Sequence, residues 1–130
     1  MLMAEKAKPE HKFAALMHDA SEAYLIDVPR PIKPLLVGYK EIEDDVMTAI
    51  AAKYNFAWPL PPEVKELDHR IIADERAQNM SPMEDCDVAA WGSELPPLGV
   101  TLEYWLPDQG YQEFMSSFFR YGGKEQSSRP

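Results

Sequence analysis

The chain carries one cysteine, Cys86, so no internal disulfide can form. No histidine lies near that thiol in sequence to activate it, and an inert side chain in a reducing, cytoplasmic setting is the expectation. Cations are scarce: 13 lysines and arginines stand against 22 aspartates and glutamates, a formal charge of −9. No basic stripe is present, which argues against a nucleic-acid duplex as partner. No run nears the roughly 20 apolar residues of a membrane span, so no membrane partner is expected either. The opening Met1-Leu2-Met3-Ala4-Glu5-Lys6 has no apolar signal core. There is no internal repeat, and no stretch alternates strongly enough to read as a strand. An acidic chain can still take a phosphate ester, but it needs a cation to do so.

What remains is helical spacing. A length of 130 residues suits one domain with a real core. Residues 1–8 are small and polar and are expected to fray. Pro9 and Glu10 suit a first helical turn, and Phe13, Leu16, Met17, Ala20 and Tyr24 then recur at helical spacing to Tyr24 or Leu25. Pro29, Pro31 and Pro34 predict a turn, followed by a short helical segment through Leu36. After Gly38, the residues Tyr39, Ile42, Val46, Met47, Ile50 and Tyr54 mark a second long helix with acids in its first half. A proline-rich loop leads to Pro62-Glu63, which opens a helix to about Met80 with Val64, Leu67 and Ile71 as its stripe. Residues 81–100 read as a long loop, with one helical turn near Asp85 to Trp91, and Leu102 to Trp105 extend briefly. Pro107 starts a last helix carrying Tyr111, Phe114, Met115, Phe118 and Phe119, and Gly122-Gly123 stops it. The expectation is an all-α bundle of about five helices over residues 1–123, with a disordered tail over 124–130.

On a wheel drawn through the first helix, His18, Asp19 and Glu22 fall opposite the apolar stripe, beside Ala15. A solvated face is the simpler reading. Small Ala14 and Ala15, and the lack of lysine and arginine there, count against it. Asp68 borders the core beside Leu67, on a flank shared with Ile72 and Glu75. A salt bridge to Lys65 or Arg70 explains it as well as any functional role. The functional alternative puts His18, Asp19 and Asp68 around a divalent metal, with water in the remaining positions acidified into a nucleophile. Glu22 would then orient that water or move its proton, and Asp27 would protonate the leaving oxygen. Arg30 or Lys33 would meet a phosphate. Exposed loop charges are the plainer account of those last three.

These residues together resemble a known family. The stretch Ala15-Leu16-Met17-His18-Asp19-Ala20-Ser21-Glu22-Ala23-Tyr24, the run Asp27, Pro29, Pro31 and Lys33, and the later Asp68 are similar to the HD-domain metal-dependent phosphohydrolases. The likeness is to the branch of YfbR-like deoxynucleotidases and related bacterial and prophage HD hydrolases. It runs from about Pro9 to Met80, with a looser match in the last helix. It implies an all-α HD domain and a divalent metal (Mn, Co, Mg, Zn, Ni or Fe) on His18, Asp19 and Asp68. It implies that Glu22 and Asp27 serve hydrolysis, and that phosphate or triphosphate leaves a deoxynucleotide. One departure matters. The family pattern places a further histidine on a helix well upstream of the His-Asp pair, and this sequence has no such helix. His11 is two turns, ~10.5 Å, before His18 on the same expected helix, too far to share an ion, and His69 is little better placed. The sequence therefore reads as an HD domain truncated at its N-terminus, whose exposed apolar surface favours a homodimer. The rival reading is a catalytically impaired remnant that senses nucleotides or binds a protein.

Overall fold

Helix α3 (Tyr39–Tyr54) begins where Gly38 takes a left-handed turn at φ 81° and ends where Asn55 does the same at φ 58°. Glycine and asparagine are the residues that accept that geometry. Helix α4 (Pro62–Asn79) and helix α5 (Pro107–Tyr121) each open on a proline, whose missing N–H costs nothing in a first turn. The computed structural model describes residues 1–29, 31–80 and 95–124. Two shorter helices, α1 (Leu2–Lys6) and α2 (Lys12–Leu16), precede these three, and 3-10 turns occupy Pro9–His11, Ala20–Ala23 and Lys33–Leu35. The class is all-α, and there is no strand among the described residues. The expected turn near Asp85 to Trp91 and the tail beyond Lys124 lie outside those residues.

Two expectations need correction. Residues 1–8 do not fray as a unit. Met3, Ala4 and Ala7 are buried against the core, with α1 packed on α2 and α4. Lys12 Nζ donates to the Ala4 and Glu5 carbonyls at 3.0 and 2.9 Å, closing the C-terminal end that so short a helix leaves open. The second correction concerns the helix expected from Pro9 to Tyr24. It breaks after Leu16. The Ala15 carbonyl, which a continuing α-helix would offer to the amide four residues on, accepts a bond from His18 Nδ1 at 3.0 Å. Tighter bonds then carry the chain, from the Ala20 N–H to Met17 and from the Glu22 N–H to Asp19. So Phe13 to Met17 are all buried, Ala15 fully, whereas Tyr24 is 73% exposed.

The core gathers α1 and α2 over Met47 and Ile50 of α3, Val64 and Leu67 of α4 and Phe118 of α5. Phe118 is its aromatic centre, edge-on to Phe13 at 5.4 Å and to Tyr54 at 5.7 Å between ring centroids. Gly123 is required there, because a Cβ at that position would stand 2.2 Å from the Phe118 ring.

Helix α4 has three working sides. Val64, Leu67 and Ile71 face the core region. On one flank Arg70, Asp74 and Gln78, four residues apart, hold the segment 96–102 as a strap. Arg70 donates to the Pro96 and Pro97 carbonyls. Asp74 accepts the N–H groups of Leu98, Gly99 and Val100 at 2.6, 3.0 and 3.0 Å. The Gln78 amide pairs with both Val100 and Leu102. The other flank carries Asp68, Ile72, Glu75, Arg76 and Asn79 and faces a cleft.

Candidate active site

The cleft measures about 530 Å³. Asp19 and Glu22 enter it from the 3-10 region after α2. Asp27, Pro29, Pro31 and Lys33 come from the proline-rich loop, and Asp68, Glu75 and Arg76 from α4. The loop is tied down by Tyr39, whose hydroxyl donates to the Ile26 carbonyl at 2.6 Å. Prolines alternating along 29, 31 and 34 keep it extended and then turned, so Asp27 faces α4 across the opening.

His18 is the hinge of the arrangement, with a side chain only 17% exposed. Its Nδ1 donates to the Ala15 carbonyl, which fixes the ring. Its Nε2 lies 2.8 Å from Asp19 Oδ2 and 3.8 Å from Asp68 Oδ1. Both ring nitrogens therefore face acceptors, which favours the protonated ring. Burial works against that charge, but the Asp19 bond and the charges of Asp19 and Asp68 outweigh it and raise the pKa above 6.5. The Glu22 carboxyl is also raised, by burial and then by Asp19 and Asp27. Glu75 is raised by burial and then by Asp68 and Asp19.

Among the described residues, five carboxylates thus share one cleft with two cations, Lys33 and Arg76. A set of one imidazole and carboxylate oxygens suits a divalent ion. Two donors bound to one ion at about 2.0–2.2 Å stand roughly 2.9–3.4 Å apart. The His18–Asp19 spacing is close to that range, and the His18–Asp68 spacing must shorten by a few tenths of an ångström. Among the described residues no group of three or more His, Cys, Asp or Glu is already arranged to hold an ion. His18, Asp19 and Asp68 as they stand do not form such a group.

Of the sequence-derived candidates, Glu22, Asp27 and Lys33 line the same cleft, and Arg30 lies outside the described residues. Lys33 is engaged by Glu43 at 2.6 Å. Arg70 is turned to the strap and to Glu66, so it does not neutralise Asp68 as a flank pair would. His11 pairs with Glu63 at the start of α4, and His69 is exposed and does not line the cleft. Glu75, Arg76 and Asn79 had not been singled out for chemistry. Their signal was available, since they follow Asp68 by seven, eight and eleven residues on one helical face.

The raised His18 pKa has a signed consequence. The folded chain holds that proton more tightly than the unfolded one. Its stabilising contribution is complete below pH 6.5 and is lost as pH climbs through the folded value. Thermal melts of the metal-free protein are expected to fall over that window, and His18→Gln to flatten the fall. Stabilisation by added manganese is expected to grow over the same window, because ion and proton compete for Nε2. Manganese stabilisation that strengthens on acidification would contradict the placement of His18.

Fold and cleft together define an all-α protein with an acidic cleft between α4 and a proline-rich loop, and His18 stands behind its Asp19 and Asp68. No family model matches the chain, and no solved structure matches it. Over 76 residues, 58% of its length, the chain is 40% identical to the uncharacterized protein YfdR of Escherichia coli (strain K12). That stretch covers 43% of YfdR, so the chain spans less than half the length of this relative. No helix among the described residues is long and apolar enough to cross a membrane.

Proposed function

We propose that the cleft is the site of a divalent-metal-dependent phosphohydrolase acting on nucleotides or related phosphate esters, in the manner of the HD-domain hydrolases that the sequence resembles. The observation that carries this reading is His18, locked by Ala15 through Nδ1 and presenting Nε2 to both Asp19 and Asp68. A ring fixed through its second nitrogen is what metal ligation by histidine requires. When bound, a divalent cation supplies charge for the phosphoryl oxygens and acidifies water.

The chain's own residues account for the proton movements. Glu22, whose pKa is raised by burial and by Asp19 and Asp27, accepts a proton from the attacking water. That proton passes to the leaving oxygen by way of the Asp27 carboxylate on the tied loop, which acts on Glu22 across the cleft. Asp19 and Asp68 fix the position of the attacking group relative to both.

The test is release of phosphate, pyrophosphate or triphosphate from a panel of deoxynucleoside mono- and triphosphates, with manganese or cobalt, beside Asp68→Asn as the blank. Metal-dependent release that the blank lacks is expected. A second reading, a nucleotide-sensing module without turnover, is favoured by the lack of a ready-made three-ligand set among the described residues. Nucleotide binding with no release under any of these ions would select it.

A further inference from the structure

We propose that Arg76 grips the phosphate of the substrate in this cleft, while Lys33, which with Arg30 is a cation that the loop sequence points to, holds the cleft wall. The inference rests on the phosphohydrolase reading and deepens it. Both cations line the cleft, but their surroundings differ. Lys33 Nζ lies 2.6 Å from Glu43 Oε1 and 5.5 Å from the centre of the Tyr39 ring. Burial pulls its pKa down, and Glu43 more than restores it, so the ammonium is firmly charged and already spent on a partner. Meeting a ligand would cost Lys33 a charge-assisted bond.

Arg76 has no such commitment. It is half-buried, and among the described residues its guanidinium enters no ion pair or hydrogen bond. It sits eight residues beyond Asp68 on the same face of α4, ~12 Å along the axis. Side chains on a helix lean towards its N-terminus, which brings the guanidinium back towards the level of Ile72 and Asp68. The planar fork offers two parallel N–H donors to a phosphate's non-bridging oxygens. The carboxylates of Asp19, Glu22, Asp27, Asp68 and Glu75 repel an anion elsewhere in the cleft. Among the described residues, the favourable placement for a phosphate is therefore between an ion at His18 and the guanidinium of Arg76.

Calorimetric titration of inorganic phosphate into the protein, with and without stoichiometric manganese, tests this apart from turnover. Arg76→Met, which keeps the apolar stem, is expected to weaken phosphate binding at least about tenfold with manganese affinity unchanged. Arg76→Lys is expected to recover part of the loss, which a folding defect would not. Lys33→Met is expected to keep phosphate binding while lowering the melting temperature. Full phosphate affinity in Arg76→Met, its loss in Lys33→Met instead, or no phosphate binding by the parent protein overturns the proposal. A parent that binds phosphate through Arg76 but takes up no manganese would refute the metal reading and leave this one standing.

Discussion

Asp68→Asn is expected to weaken divalent-metal binding by roughly a hundredfold or more and to abolish metal-dependent phosphate release. Loss of an outer partner of a metal ligand already costs about 10–100-fold, so loss of a direct ligand should cost at least as much. The substitution keeps the shape of the side chain and removes its charge. Asp68 sits with Asp19 and Glu75, and it contributes to the raised Glu75 pKa. Taking away one negative charge there relieves that repulsion but also removes an attraction to His18. The melting temperature without metal should therefore change little, even as metal stabilisation disappears. Manganese titration followed by melts with and without the ion measures both arms. Unchanged manganese affinity would remove Asp68 from the ligand set, and His18 with Asp19 alone would then be too few donors for a tight site.

Asp74→Ala is expected to be the most destabilising single change on α4, by about 3–5 kcal/mol, or roughly 10–20 °C in melting temperature. Asp74 is only 5% exposed, and its two oxygens accept three successive backbone N–H groups. Alanine leaves all three donors without their acceptor and opens a gap beside the strap. Asn retains one oxygen for Gly99 and Val100 and turns an amide N–H₂ against the Leu98 N–H, so it should lose an intermediate amount. Chemical denaturation of the three proteins orders them. A loss below about 1 kcal/mol in Asp74→Ala would mean that water replaces the strap bonds at little cost.

The long helices were legible because their signals agree. α3, α4 and α5 each combine a one-sided apolar stripe with a glycine or proline at a boundary, and their observed limits match that reading closely. The N-terminal third was harder to read. A wheel assumes a helix that continues, and Phe13 to Met17 are buried on every side of a helix only five residues long. What stops that helix is a side-chain bond from His18 to its own backbone, which leaves no periodic trace in sequence. The same bond explains why the solvated-face account of His18 fails, since the ring turns back towards the fold. The cleft row on α4 is legible at Asp68, and the same spacing continues through Glu75, Arg76 and Asn79. The strap could not be read at all. Arg70, Asp74 and Gln78 look like ordinary surface residues of a helix, and their partners are main-chain atoms more than twenty residues away.

Because α4 serves a strap on one flank and a cleft on the other, it has a reading frame as strict as that of a coding sequence. One residue inserted between Asp68 and Asp74 would turn everything downstream by ~100°. Asp74 would leave the strap, and Arg76 would leave the cleft, in the same event. A substitution on this helix disturbs one flank at a time, whereas a change of length between those two aspartates disturbs both, whatever residue is added.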